Sequence, residues 1–230
     1  MLEEHDALDE SQRLRAVIEG VFAGNIFDLG AHATAKAFLG GSSPDFHHVR
    51  ETLPHRPWLI DDFDLLEKTW LGKTFRKAVI FIDNAGSDFL LGALPLARWL
   101  ARRSTRIVIA ANEVPTLNDM TIHDVRAWWP RVVALAPEFG RLPIELISTG
   151  TAEPLIDLMG VSDALNQASQ DADLVILEGM GRGVETNLDA KFSCDAVNIA
   201  MIKDNMVAAR LGGKVFDVVC RFRTGEMGPT

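Results

Sequence analysis

Cysteine is scarce in this chain, clustered basic charge is sparse, and no apolar run is long enough to span a bilayer. Each shortage removes a class of function. Of 230 residues only Cys194 and Cys220 are cysteines, with no short metal-ligand or redox spacing between them, so incidental reduced thiols of a cytoplasmic protein are expected. The formal net charge of −9 argues against a general nucleic-acid binder, which needs Lys and Arg grouped to neutralise phosphates. Arg102, Arg103 and Arg106 form the one notable basic group, and a solvated helix end explains it. Met1 to Asp6 is acidic and has no apolar h-region, so no signal peptide is expected, and the missing long apolar run argues against a membrane span. No G-x-S-x-G elbow occurs, which disfavours a serine hydrolase. Asp83 is followed by Asn84-Ala85, so the D-x-D arrangement of aspartyl-phosphate phosphatases is missing too. A soluble cytoplasmic protein with neither a nucleic-acid nor a membrane partner is the expectation; nothing in the residues fixes an oligomeric state.

What is present is ordinary globular composition, 47% hydrophobic and 24% charged, in a length that suits one domain with a substantial core. Leu14, Val17, Ile18, Val21 and Phe22 fall at helical spacing within a helical pattern from about Ser11 to Leu39, which Gly24-Asn25 interrupts. Asp28 is placed to cap a second helix over 29–39, ended by Gly40 to Pro44. His47, His48 and His55 fall in a loop or short helix, and Asp61-Asp62 opens a helix ending near Gly72. From Lys77 onward strands are expected near 77–82, 106–111, 143–148, 173–178 and 214–222. Helices are expected near 88–102, 121–136, 154–169 and 194–211. Such alternation predicts an α/β fold: a Rossmann-like open, mainly parallel sheet with helices on both faces. A single domain is expected, with residues 1–72 as a helical N-terminal elaboration and 73–230 as the α/β core.

Two polar clusters follow two buried-strand patterns. Ala78 to Ile82 runs into Asp83-Asn84-Ala85-Gly86-Ser87-Asp88, and Ile107 to Ala111 runs into Asn112 to Asp119. In an open parallel sheet the ligand crevice lies beyond the carboxyl ends of the strands, so both clusters are expected to face one point. Carboxylate and amide oxygens suit a hard divalent cation. Asp83 and Asn84 are thus candidate ligands, with a helix N-terminus after them offering N–H groups to a phosphate and Gly86 permitting the turn. A helix cap explains one such polar residue but not the adjacent pair and Asp88. For Asn118-Asp119, capping of the next helix is a serious competitor, but the position after a second buried strand tips the pair toward the site. Glu178-Gly179-Met180-Gly181-Arg182-Gly183 follows another apolar run, without the dinucleotide-binding spacing. It reads either as a crevice loop, with Glu178, Arg182 and Asn187 as contacts, or as a plain glycine turn. Lys203, placed in the helix expected over 194–211, reads from the residues as a lysine snorkelling to solvent. The histidines show no metal-ligand pairing.

These stretches resemble the damage-control phosphatase family of metal-dependent enzymes, most of all the phosphatase domain fused to pantothenate kinase homologues in eukaryotes. The resemblance rests on Ala23 to Gly30, Phe81 to Asp88, Ala111 to Pro115, Leu117 to Asp119, Glu178 to Arg182, the region of Asn187, and Ile202-Lys203. It implies hydrolysis of phosphate monoesters with a divalent metal, Mn²⁺, Mg²⁺, Co²⁺ or Ni²⁺, held at Asp83, Asn84 and Asp119. It also implies that Lys203 contacts phosphate, against the reading from the residues alone. Asn25 and Asp28 match a motif near the family's active site, and Asn25, Asp28, Ser87, Asp88, Glu178, Arg182 and Asn187 become candidates for substrate binding. The partner implied is a small phosphorylated metabolite, 4′-phosphopantetheine or an oxidised or damaged form. A general sugar-phosphate phosphatase is the alternative, and a metabolite-binding module without turnover is the alternative outside enzymes. Longer members carry more helical sequence ahead of the position matching Ala23, a difference expected to bear on substrate choice.

Overall fold

The run Ala78-Val79-Ile80-Phe81-Ile82 is apolar at every position because its strand is buried on both sides. Side chains alternate across a strand; here Ala78, Ile80 and Ile82 join one core cluster, while Val79 and Phe81 join a second on the opposite face. A computed structural model describes residues 1–26 and 46–225. Its sheet consists of β1 (Ile60–Asp61), β2 (Lys77–Phe81), β3 (Arg106–Ala111), β4 (Ile144–Ser148), β5 (Leu174–Glu178), β6 (Asp195–Met201) and β7 (Val218–Arg223). Their order is β1-β7-β6-β5-β2-β3-β4. All neighbours are parallel except β6 and β7, which pair antiparallel. The fold is thus a mixed, mostly parallel seven-stranded sheet with helices around it, as the alternating pattern predicts. From β2 the chain builds β3 and β4 on one side, then returns to lay β5 on the other. The junction of β2 and β5 is therefore the topological switch point, where such sheets open their crevice.

The helices are α1 (Leu2–Asp6), α2 (Glu10–Ile26), α3 (Phe46–Glu51), α4 (Phe63–Gly72), α5 (Leu94–Arg102), α6 (Ile122–Leu135), α7 (Asp163–Ser169) and α8 (Asn205–Leu211). Two wider π-helical turns, Asp88–Ala93 before α5 and Met180–Thr186 after β5, flank the switch point. Turns of this kind recur at functional sites.

Four expectations need correction. The helix foreseen over 194–211 is the strand β6 followed by the short α8, and Lys203 lies in the connection between them. Asp204 makes the break by capping α8, its carboxylate accepting from the N–H groups of Met206 and Val207. The helix foreseen over 154–169 starts only at Asp163, where Ser162 caps it. Gly24-Asn25 does not interrupt the first helix, since α2 continues to Ile26. Gly24 serves packing instead: a Cβ there would lie 2.9 Å from Cα of Asp88, so its bareness lets α2 meet the 88–93 turn backbone to backbone. Finally, Ile60–Asp61 adds an edge strand from within the helical N-terminal elaboration, pairing with Val219 and Cys220. Asp28, the helix foreseen over 29–39 and the turn after it lie outside the described residues. No helix among the described residues is long and apolar enough to cross a membrane.

Candidate active site

Asp83 and Asn84 leave the end of β2 and are zipped to the loop that follows β3. The Met120 N–H donates to the Asp83 carbonyl at 2.8 Å, the Ala85 N–H donates to the Asn118 carbonyl at 2.9 Å, and Asn84 forms an isolated antiparallel bridge with Asp119. Asn118 adds a side-chain bond, its Nδ2 donating to Asn84 Oδ1 at 2.9 Å. The capping question at Asn118-Asp119 is resolved by Thr121. It caps α6 in a reciprocal box with Asp124, which leaves Asp119 to the crevice. There Asn112 Nδ2 donates to Asp119 Oδ2 at 2.9 Å. The Ala85 N–H is committed within the protein, so one of the backbone donors foreseen for phosphate is taken. Gly86, at φ 72°, makes the turn.

Arg182 joins the two strand ends. Its Nη1 donates to Asp83 Oδ1 in a very short contact, and its Nη2 donates to Asp119 Oδ2 at 2.6 Å. Arg182 is only 1% exposed although it carries a full charge. Burial works against that charge, yet Asp83 and Asp119 outweigh it and keep the guanidinium pKa above its ordinary value. Gly179 makes the approach possible. At φ 91° it takes a backbone form open to glycine, and a Cβ there would fall 2.1 Å from Asp83 Oδ2. Burial pushes the Asp83 carboxyl up to about 6; Asp88 and Asp119 add to the rise, while Arg182 and Lys203 oppose it. Burial likewise raises Glu178 well above the carboxylate range, helped by the charges of Asp88 and Asp83.

The other candidates fall into distinct places. Asp88, 1% exposed, and Asn25, wholly buried, stand behind the site rather than at an open surface. Asp88 Oδ2 accepts from Asn25 Nδ2 at 2.9 Å and from Asn84 Nδ2 at 2.7 Å, and Asn25 Oδ1 accepts from the Met201 N–H at 3.4 Å. They brace Asn84 from within the fold. Glu178, 2% exposed, accepts from the Asp83 N–H at 3.4 Å and is a brace as well. Asn187 is turned inward, its Nδ2 donating to the carbonyls of Ile156 and Arg182 at 3.1 and 2.9 Å, so it ties the loop rather than reading a ligand. Ser87 is half-buried at the start of the 88–93 turn. Lys203, also half-buried, extends its field to Asp83 from the end of β6. Asn112 and Gly179 are given no role of their own by the sequence, and Asn118 only one as the neighbour of Asp119. Asn112 carries the clearest signal in hindsight, because it is the first amide after an unbroken apolar strand.

The arrangement concentrates acidic oxygens at the switch point and counters them with Arg182 and Lys203. Among the described residues no trio of His, Cys, Asp or Glu is set to hold a metal by itself. The donor set is instead two carboxylates, Asp83 and Asp119, and the Asn84 amide. Hard oxygen donors of this kind fit a divalent cation of the Mg²⁺ or Mn²⁺ type.

Comparison with known proteins bears on the family. Residues 1–219 match the damage-control phosphatase ARMT1-like domain. A damage-control phosphatase of Arabidopsis thaliana is 43% identical over 220 residues, covering 93% of this chain and 59% of its own length. Pantothenate kinase 2 of Oryza sativa subsp. japonica is 38% identical, with 96% of this chain and 28% of the relative covered. The 4′-phosphopantetheine phosphatase of Mus musculus is 28% identical, with 94% and 33% covered. The chain therefore spans three fifths or less of the length of these relatives. Among solved structures, a DUF89 family protein from Pyrococcus horikoshii superposes with a TM-score of 0.62 at 20% identity, over 92% of this chain and 65% of that one. That likeness concerns the fold. With the match spanning nearly the whole chain, this protein belongs to the family of damage-control phosphatases with an ARMT1-like domain.

Proposed function

We propose that this chain hydrolyses phosphate monoesters of small metabolites, using a divalent cation held by Asp83, Asn84 and Asp119. The favoured substrate is 4′-phosphopantetheine or an oxidised or damaged form of it. The observation that carries the reading is the convergence of Asp83 and Asp119 from separate strand ends onto one guanidinium at the switch point, in a chain of a phosphatase family. The substrate class is supported by the likeness to the 4′-phosphopantetheine phosphatase of Mus musculus.

When bound, a divalent cation supplies Lewis-acid polarisation of the phosphoryl group. Around it, Asp83 and Asp119 provide carboxylates, and Asn84 contributes an amide braced by Asp88 and Asn118. Lys203 offers a positive charge from the opposite strand end to offset the anion developing on the transferring group.

The test is inorganic phosphate release by chelator-treated protein. 4′-Phosphopantetheine and several sugar phosphates are offered with added Mn²⁺, Mg²⁺, Co²⁺ or Ni²⁺. Release is expected only with added cation, fastest on 4′-phosphopantetheine, and abolished in Asp83→Ala and Asp119→Ala variants that stay folded. Full turnover after exhaustive chelation, or in either variant, would sink the reading. A faster sugar phosphate would move the substrate to that class.

A further inference from the structure

The two carboxylates assigned to the cation are already spanned by a cation of the chain's own. One guanidinium donates to Asp83 Oδ1 through Nη1 and to Asp119 Oδ2 through Nη2. The same two carboxylates are the ones a divalent cation would need, so guanidinium and cation share one binding place. The Arg182 backbone is fixed: its carbonyl accepts from Asn187 Nδ2 at 2.9 Å and from Thr186 Oγ1 at 3.3 Å. Beside it, the Gly183 N–H donates to the Gly179 carbonyl at 2.9 Å, and Asn198 Nδ2 donates to the Gly183 carbonyl at 2.8 Å. Any exchange of partners therefore falls to the rotatable side chain and not to the loop.

A guanidinium and a divalent cation repel at contact distance, so they compete for these oxygens. Without any cation between them, Asp83 and Asp119 would be left with the neutral amides of Asn84 and Asn112 and the field of Lys203 to offset their charges. We propose that Arg182 is the resident counter-ion of the Asp83–Asp119 pair. It is a positioning residue that keeps the carboxylates in register without a divalent cation and releases at least one of them when a cation enters. This inference rests on the divalent-cation reading above. It differs from a substrate-binding role for Arg182, because it makes the arginine a competitor of the cation rather than a partner of the phosphate.

The experiment is calorimetric titration of Mn²⁺ into chelator-treated wild type, Arg182→Met and Arg182→Lys, with melting temperatures recorded with and without Mn²⁺. Removing the competitor is expected to tighten Mn²⁺ binding in Arg182→Met by about tenfold or more, tenfold being ~1.4 kcal/mol. The same variant should melt below wild type without Mn²⁺ and gain more from its addition. Arg182→Lys keeps the charge but loses the fork, so its affinity should lie between the two. If Arg182→Met binds Mn²⁺ no more tightly than wild type, the arginine supports the site instead of competing for it, and the proposal falls. If Arg182→Lys matches wild type, charge alone acts and no exchange of oxygens takes place, which also overturns it. Should Arg182→Met fail to fold, the lysine variant decides. Absence of Mn²⁺ uptake by every protein, wild type included, would instead overturn the cation reading itself and this inference with it.

Discussion

Gly179 illustrates how a residue without a side chain can shape a site. It follows Glu178 at the end of β5 and lies against the Asp83 carboxylate, in a conformation with φ 91° and ψ 158°. Backbone of this sort is open to glycine, and other residues there cost about 1–3 kcal/mol. A methyl group would in addition overlap Asp83 Oδ2. Gly179→Ala should therefore lower the unfolding free energy by about that much or more, and it should displace Asp83 from Arg182. Thermal melts by circular dichroism would measure the first effect, and phosphate release would report the second. A Gly179→Ala protein with wild-type stability would show that the contact is soft. The sequence offers Gly179 only as one of several glycines in a loop. What distinguishes it is a neighbour far away along the chain, as with Arg182, which is 99 residues from Asp83 and 63 from Asp119. The candidate residues at strand ends were legible because the strands themselves were. Which of them would face the crevice and which would brace it, as Asn25 and Asp88 do, depends on packing that no local pattern encodes.

Elements show the same division. β2, β3 and β5 stand out as short apolar runs, because central parallel strands are covered on both faces. β6 is covered on both faces too, yet its Ala196 to Met201 stretch is rich in residues that also suit a helix and leads almost at once into α8. In the sequence the two merge into one helical pattern, and Asp204 as a capping residue is the sign of a boundary. At the other end of the chain, α1 is fastened by Asp6, which pairs with both Arg98 and Arg102 of α5. Next to it His5 is 2% exposed, and burial, aided by the charge of Arg50, lowers its pKa from 6.5 to about 4. The unfolded chain then takes up a proton below about pH 6.5 that the folded chain refuses until about pH 4, so stability falls as pH drops through that window. Above it both states are neutral at this residue and the effect vanishes. His5→Gln, which cannot titrate, should lose less melting temperature between pH 7 and 5 than wild type does. Identical pH dependence in the two proteins would remove His5 from the account.

For the whole molecule, the sheet ranks its own stability. Every residue of β2 is buried, and β2 sits inside the sheet between β5 and β3. β4 forms one edge and is largely half-exposed, while β1 forms the other with two residues. Amide hydrogen exchange followed by mass spectrometry should accordingly be slowest in peptides from β2 and β5 and markedly faster in those from β4, since protection follows local opening energies. Equal protection in β4 and β2 would mean that the edge opens only with global unfolding. Strand order itself was beyond the sequence, because the return from β4 past β2 to β5 and the antiparallel seating of β7 are settled by pairings between distant segments. The alternation of strands and helices was enough for the fold class and not for the map.

The contact between α2 and the 88–93 turn also constrains how this chain can change over time. Gly24 lies against Cα of Asp88, and a Cβ on Gly92 would come within 3.2 Å of Cα of Val21. Because bare backbone sets the spacing, no side chain is available there for gradual adjustment, and any enlargement must shift the helix as a unit and Asn25 with it. Mutational tolerance along α2 should be lopsided as a result: permissive at outward positions such as Arg15 and Glu19, and nearly closed at Gly24, as it should be at Gly92 across the contact.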